Sequence, residues 1–164
     1  VLPRDYVKQR DIEVVLSEMA EQVAIRMRRE HQKATIVSVV VTYSKTEMKQ
    51  PINTQMKIEP TNQTRLLTDT VLTLFRKKYT SGAVRGIAVN YSGFVDESYA
   101  LISLFDDVEA TEKEENLQRT IDHIRDQFGF LAVQKGTALL DSSRNIARSK
   151  LIGGHSAGGL EGLQ

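Results

Sequence analysis

The sequence contains no cysteine and no tryptophan, and it has three histidines and three prolines in 164 residues. Without cysteine, disulfide bonds and thiolate metal sites are excluded. The histidines stand at positions 31, 123 and 155, without the spacing of a metal-binding motif. No apolar run approaches the ~18 residues of a membrane-spanning helix, and no secretory signal opens the chain. We therefore expect a soluble, cytoplasmic protein with no membrane association and no metal site.

The formal net charge of +1 conceals two regions of opposite sign. Residues 1–95 carry 15 Lys and Arg against 9 Asp and Glu, whereas residues 96–164 carry 7 against 12. One interpretation is two independently solvated surfaces. The other is an anion-binding domain followed by an acidic linker and tail.

The stretch Gly154-His155-Ser156-Ala157-Gly158 matches the G-x-S-x-G nucleophile elbow of serine hydrolases. An elbow needs a buried strand before the Ser, a helix after it, and an acid and a His farther along the chain. The preceding residues 142–150 are polar and basic, and no His or Asp follows Ser156. The sequence therefore predicts a flexible Gly- and Ser-rich tail rather than a hydrolase site.

Hydrophobic periodicity predicts the elements of residues 1–95. A helix over about 7–29 buries an apolar stripe and leaves acidic and basic residues to solvent, among them Glu13, Glu18, Glu21, Arg26 and Arg29. Alternating β-branched residues predict strands at 35–43, 55–59 and 84–91. A second helix follows Pro60, with Thr61 or Asn62 as its cap and Leu67, Val71, Leu74 and Phe75 on its buried face.

With an extended segment at Val1–Arg4, the order β-α-β-β-α-β predicts an α+β, ferredoxin-like module: a four-stranded antiparallel sheet with both helices on one face, followed by a C-terminal helical extension. The sheet face away from the helices would carry small or polar side chains: Ser38, Thr42, Ser44, Gln55, Lys57, Gly86, Ala88 and Asn90. Such a face can receive a phosphate backbone, although an ordinary solvated sheet has a similar pattern.

Beyond residue 95 the composition changes. An acidic linker, 96–110, surrounds the apolar stretch Tyr99–Phe105, and a capping box at Thr111–Glu114 predicts a third helix that ends at Gly129. Its apolar stripe must pack somewhere: Leu117, Ile121, Ile124 and Phe128. We divide the chain into a domain at 1–95, this linker, and an extension with a flexible tail at 111–164.

Several stretches, in this order, resemble the C-terminal part of UmuC-like Y-family translesion DNA polymerases of Gram-positive bacteria. They are V-L-P-R-D-Y at the start, T-I-V-S-V-V-V-T-Y-S, M-K-I-E-P-T-N, V-R-G-I-A-V, I-S-L-F-D-D and S-K-L-I-G-G-H near the end. The resemblance covers nearly the whole chain and implies a little-finger domain, which grips DNA phosphates, followed by a peptide that binds the bacterial sliding clamp.

The resemblance assigns roles to individual residues. Those matching phosphate-contacting positions are Arg4, Thr42, Ser44, Lys45, Gln55, Lys57, Arg85 and Asn90. Those matching the clamp-binding peptide are Leu101, Ile102, Ser103, Leu104 and Phe105, with Leu101 where the family has Gln. A short apolar strand or core plug is the alternative interpretation of this peptide.

The carboxylate motif that holds two metal ions for nucleotidyl transfer does not occur in this sequence. We therefore expect a polymerase fragment without catalytic residues or a cofactor of its own. The resemblance implies a parent enzyme that uses Mg²⁺ and acts in damage tolerance and the SOS response. The competing hypothesis is a ferredoxin-like regulatory or oligomerisation module, which could self-associate through helix 112–128.

Overall fold

The computed structural model describes residues 1–98, 108–140, 142–145, 147, 151–152 and 155–156. The helices are α1 (Gln9–Arg29), α2 (Thr64–Lys78) and α3 (Val108–Phe128), with short 3₁₀ turns at Lys45–Glu47, Phe130–Ala132 and Gly136–Leu139. The strands are β1 (Gln32–Tyr43), β2 (Ile52–Thr61), β3 (Val84–Ser92), β4 (Val95–Asp96), β5 (Leu151–Ile152) and β6 (His155–Ser156).

Strand β1 is the centre of a four-stranded antiparallel sheet. It pairs with β2 along one edge, with β3 along the other, and with β4 at its start. Between β3 and β4, Gly93 has φ +61°, and a Cβ there would lie 2.1 Å from Thr35 Oγ1. Only glycine therefore fits this bend without displacing Thr35.

The amino-terminal segment runs beside β3. Leu2 N donates to Arg85 O at 2.8 Å, and Tyr6 forms a single antiparallel bridge with Val84. The extended segment predicted at the start of the chain is therefore next to the sheet, although it contributes a bridge rather than a full strand.

Helices α1 and α2 cover one face of this sheet. Val37, Val39 and Val41 of β1 are fully buried beneath them, together with Leu16 of α1 and Phe75 of α2. The Tyr91 hydroxyl donates to Ala20 O at 3.0 Å, and burial raises the pKa of this phenol. The predicted α+β class, the antiparallel sheet and the helical extension are confirmed.

The extension adds a third layer on the outer side of α1 and α2. Arg125 of α3 is buried and donates to Glu21 Oε1 at 3.0 Å and to Val133 O at 2.7 Å. Glu18 accepts from the Ser143 hydroxyl and from Arg144 N. The prediction that Glu18 and Glu21 face solvent is therefore wrong, because partners more than 100 residues away cover them.

Three further ion pairs join α3 to α1 and α2, and one of them is the exposed pair of Arg29 with Asp126. Arg28 binds Asp122 through Nε and Nη2 at 2.6 and 3.1 Å, while its Nη1 donates to Asn62 O and Thr64 Oγ1. Arg65 binds Glu114 through two nitrogens at 2.6 and 2.8 Å. The docked face of α3 is thus largely ionic, unlike the apolar stripe expected from the sequence.

That stripe lies partly in solvent. Leu117 is 61% exposed and Phe128 is 75% exposed. The predicted capping box is also wrong, since α3 begins at Val108 and Glu114 binds Arg65 instead. Gly129 does end the helix, with φ +97° and its N–H bonded to Arg125 O.

Two other local predictions require correction. The N-cap of α2 is Gln63, not Thr61 or Asn62, because β2 continues through Pro60 to Thr61. Near the carboxyl end, Leu151–Ile152 pairs with His155–Ser156 as a short antiparallel ladder. Ser156 therefore lies in a strand, which differs from the strand-turn-helix apex of a nucleophile elbow.

Candidate nucleic-acid interface

The candidate site is the face of the sheet opposite α1 and α2, here called the open face. Strand alternation places one set of side chains from each long strand on it. They are Ile36, Ser38, Val40 and Thr42 from β1, Asn53, Gln55, Lys57 and Glu59 from β2, and Gly86, Ala88, Asn90 and Ser92 from β3.

The register brings the predicted residues into rows across the sheet. Ser38 stands between Gln55 and Asn90, so a hydroxyl and two carboxamides lie side by side. Thr42 is paired with Gly86, whose missing side chain leaves the Thr42 hydroxyl uncovered. Because hydroxyls and amides both donate hydrogen bonds, these rows can bind phosphate oxygens.

Few charges lie on the open face. In the rows that strand pairing defines, the ionisable side chains are Lys57 and Glu59, and both are exposed, whereas Lys33 of β1 and Arg85 of β3 stand outside those rows. Lys57 has no carboxylate partner within the part of the chain that the structure describes. Its ammonium group is therefore available to an anionic partner.

Ser44 and Lys45 follow the end of β1, beyond the regular alternation. Ser44 N donates to Ala83 O at 2.8 Å, and Lys45 begins the 3₁₀ turn with its side chain exposed. Burial, with a smaller contribution from Glu47, raises the pKa of neighbouring Tyr43. This end of the sheet therefore carries the exposed Lys45 and also Lys49, whose Nζ lies 5.4 Å from the centre of the Tyr43 ring and donates to Ser81 O.

Arg4 and Arg85 lie apart from these rows. Arg85 occupies an irregularity in the pairing of β1 with β3, and its Nη1 is 3.5 Å from Asp5. The guanidinium of Arg4 lies 4.8 Å from the ring centre of Tyr6. The structure therefore brings Thr42, Gln55, Lys57 and Asn90 onto one surface and separates the two arginines from it.

The open face carries five side chains that the list predicted from the sequence does not include: Ile36, Val40, Asn53, Glu59 and Ser92. Ile36 and Val40 share it with Ser38, although the sequence predicts only small or polar side chains on this face. Asn53, opposite Val40, precedes the strand predicted at 55–59, whereas β2 begins at Ile52. The period-two continuation of β2 back from Gln55 to Asn53 was the signal that could have identified it.

The remaining predictions concern the clamp-binding peptide, metal sites and membrane association. The clamp-binding residues Leu101–Phe105 lie outside the described residues. Within the described ranges, no group of three or more His, Asp or Glu side chains is placed to hold a metal ion. No helix in that part of the chain has the length and apolarity required to cross a membrane.

Residues 1–104 match the model of the impB/mucB/samB family C-terminal domain. The chain is 33% identical over 155 residues to "DNA polymerase IV 2" of Halalkalibacterium halodurans, covering 94% of this chain and 37% of that protein. It is 30% identical over 158 residues to the "Putative UV-damage repair protein UvrX" of Bacillus subtilis, covering 96% of this chain and 38% of that protein.

A third relative, "DNA polymerase IV 2" of Bacillus subtilis, is 31% identical over 156 residues, covering 94% of this chain and 37% of that protein. The chain thus spans less than two fifths of the length of these curated relatives, and the matches extend past the sheet into the extension. The resemblance to the C-terminal part of Y-family DNA polymerases is confirmed, and the chain belongs to the impB/mucB/samB family.

Proposed function

We propose that the open face binds the sugar–phosphate backbone of duplex DNA for an error-prone translesion polymerase in DNA repair. The observation that carries this proposal is the row Gln55, Ser38 and Asn90 beside Lys57, which has no carboxylate partner among the described residues. Relatives named as DNA polymerase IV and as a putative UV-damage repair protein support the same role. Backbone contacts of this kind position a protein on DNA without reading its sequence.

The geometry also indicates how strong this binding should be. Affinity for DNA depends on the number of phosphates that Lys and Arg neutralise. Lys57 is the only cation on the regular rows, and Lys45 lies near their end. We therefore propose that the domain binds DNA weakly and without sequence preference. The slope of log affinity against log salt concentration should correspond to about two neutralised phosphates.

The test is fluorescence anisotropy of a labelled primer–template duplex, titrated with the chain at several salt concentrations. Lys57→Glu should weaken binding about tenfold or more and reduce the salt slope by about one unit. Lys77→Glu is the matched control, because Lys77 makes the same charge change on exposed α2, in the helical layer. Equal binding by the Lys57→Glu and Lys77→Glu variants would contradict the proposal.

We also propose, from the resemblance of Leu101–Phe105, that the segment between β4 and α3 binds the sliding clamp. Leu104 and Phe105 would fill an apolar pocket of the clamp, as short recognition peptides do. Leu104→Ala with Phe105→Ala should abolish binding to the clamp in surface plasmon resonance while leaving DNA binding unchanged. Unaltered clamp binding would contradict this proposal and favour the alternative interpretation of the peptide as a short apolar strand or core plug.

The second candidate function is self-association through α3. The exposed Leu117 and Phe128 favour it, because large apolar side chains at 61% and 75% exposure can pack against a second copy. Light scattering at rising protein concentration should then give a mass above 18.4 kDa, and Leu117→Gln with Phe128→Gln should return it to the monomer. A constant monomeric mass would exclude this function.

A further inference from the structure

The loop between β1 and β2, residues 44–51, presents an apolar side chain to solvent. Met48 lies near the middle of this loop and is 95% exposed. Its backbone is left-handed, with φ 50° and ψ 35°. A single exposed apolar side chain is ordinary at a protein surface, but a left-handed backbone is uncommon for a residue other than glycine. Among the described residues, Met48 is the one large exposed apolar side chain that combines both features.

A methionine in this conformation lowers the stability of the fold. The left-handed backbone brings the Cβ of an L-residue close to the following carbonyl oxygen, and glycine or asparagine adopts it at a lower cost. At 95% exposure the side chain buries almost no surface against the described part of the protein, so packing does not offset this cost. Strained residues of this kind occur mainly where a side chain meets a ligand or partner.

The residues on either side of the exposed methionine are held in place. Glu47 Oε1 accepts from Ala83 N at 2.7 Å. Lys49 Nζ donates to Ser81 O at 2.7 Å. Gly82 permits this close approach, because a Cβ there would lie 3.1 Å from Glu47 Oε2 and 3.2 Å from Lys49 Nζ. With its neighbours fixed, the methionine would lose little backbone freedom on meeting a partner.

The loop lies at one end of the open face. It begins two residues after Thr42, which is paired with Gly86 in the last row of that face. A strand rises about 3.3 Å per residue, so the rows of Ser38 and Thr42 are about 13 Å apart. A duplex that contacts both rows therefore reaches the loop. Lys45 and Lys49 are exposed on it, and these two cations favour an anionic partner around the methionine.

We propose that Met48 enters a groove of duplex DNA and packs against deoxyribose and base edges next to the bound phosphates. Methionine is among the apolar residues that DNA-binding proteins insert into a groove. Its unbranched thioether side chain adapts to an irregular surface, so the contact requires no particular base. The proposal rests on the proposed binding of duplex DNA and adds to it a contact that does not depend on charge.

The experiment measures duplex binding by the parent chain, Met48→Asn and Lys45→Gln, with fluorescence anisotropy at several salt concentrations. Met48→Asn should weaken binding about tenfold, because burial of one methionine side chain is lost. Its salt slope should equal that of the parent, whereas Lys45→Gln should reduce the slope by about one unit. Leu139→Asn is the matched control, because Leu139 is a large apolar side chain at 85% exposure in the extension.

Two further measurements distinguish a DNA contact from a structural role. Isothermal titration calorimetry at several temperatures should give a less negative heat-capacity change of binding for Met48→Asn than for the parent, because less apolar surface is buried. Without DNA, Met48→Asn should not lower the melting temperature, since asparagine tolerates the left-handed backbone. A lower melting temperature, or equal duplex binding by Met48→Asn and Leu139→Asn, would overturn the proposal.

Comparison with Lys57→Glu separates this proposal from DNA binding by the open face. If Lys57→Glu weakens duplex binding and Met48→Asn does not, the open face binds DNA without the loop, and only the proposal for Met48 fails. If Met48→Asn weakens binding and Lys57→Glu does not, the loop contacts DNA and only the proposal for the open face fails. Absence of duplex binding by the parent chain at low salt would overturn both.

Discussion

The open face of the sheet and the outer side of α1 and α2 use charge in opposite ways. The outer side is crossed by ion pairs, with Arg28, Arg65 and Glu21 each bound to a residue of α3. Among the cross-strand rows of the open face the charged side chains are Lys57 and Glu59, while Lys33 of β1 and Arg85 of β3 stand outside those rows. Charges that are paired within the protein are not available to a partner. The open face, although it has fewer charges than the outer side, is therefore the surface better able to bind a ligand.

This comparison changes the meaning of the charge division along the chain. The two regions are not independently solvated surfaces, because Glu114, Asp122 and Asp126 of the acidic region bind Arg65, Arg28 and Arg29 of the basic one. Much of the basic excess of residues 1–95 is therefore neutralised by the chain itself. Net charge alone overestimates the attraction of this domain for DNA.

Among the variants that test this comparison, Arg125→Met should have the largest effect. The Arg125 and Glu21 side chains are 5% and 6% exposed, and removing one partner leaves a buried charge without adequate compensation. We expect a loss of about 3–5 kcal/mol in the free energy of unfolding, measured by urea denaturation. Lys135 is at 4.0 Å from Glu21 and offsets only part of this loss.

The double variant Arg125→Met with Glu21→Gln is the control. Because it removes both charges, it should recover a substantial part of the lost stability. A single variant as stable as the parent chain would mean that the outer side does not depend on this pair.

Tyr6→Phe should have a smaller effect on the same side of the molecule. It removes one buried hydrogen bond to Ser142 O and leaves that carbonyl without its donor, at a cost of about 1 kcal/mol. Urea denaturation measures the loss, and amide exchange should show faster opening at residues 142–145 than in α2. Uniform acceleration across the chain would instead indicate a global loss of core packing.

Acid should weaken one of the ion pairs in a defined range of pH. Hydrogen bonding and attraction by Arg65 hold the pKa of Glu114 below its ordinary value of 4.5. At pH values above the ordinary pKa, ionised Glu114 stabilises the folded state. This stabilisation is lost as the pH falls from the ordinary pKa through the lower pKa of the folded state. The side chains are 60% and 29% exposed, so solvent limits the effect to less than about 1 kcal/mol.

The measurement compares urea midpoints at pH 7 and pH 3 for the parent chain and Glu114→Gln. The parent should lose more stability than the variant between these values. Identical losses would show that this pair contributes nothing to docking of α3.

The smallest effect on stability is expected on the open face. Gln55→Glu is nearly isosteric and exposed, and it should change the free energy of unfolding by less than about 0.5 kcal/mol. It should nevertheless weaken duplex binding severalfold, because it places a negative charge beside Ser38. Gln127→Glu, exposed on α3, is the control for both measurements. A large loss of stability from Gln55→Glu would contradict the expectation that the open face, unlike the outer side, contributes little to stability.

The sequence predicted the elements of the first domain well, because period-two and period-3.6 patterns are local. It failed where a contact joins distant residues. Glu18 and Glu21 look like ordinary solvent-facing acids within α1, and only Arg125, Ser143 and Arg144 make them buried. Likewise, the Leu117 and Phe128 stripe is locally amphipathic, whereas α3 docks through its charged side.

The local pattern placed Ser38, Gln55, Lys57 and Asn90 on one face of the sheet, and the strand register then sets Ser38 between Gln55 and Asn90. It could not identify the displacement of Arg85, which depends on an irregularity in pairing near Thr42. Nor could it place Arg4, whose position depends on the buried ring of Tyr6.

The hydrogen bond between Tyr6 and Ser142 also has a consequence for the order in which the molecule is completed. The ribosome makes residue 6 long before residue 142, and domains fold as their residues emerge. The sheet with α1 and α2 can therefore form first, while Glu18 and Glu21 still face water. Their burial waits until Arg125, Ser143 and Arg144 have been made, so a nascent chain that stops short of these residues would hold the same sheet with its outer carboxylates hydrated.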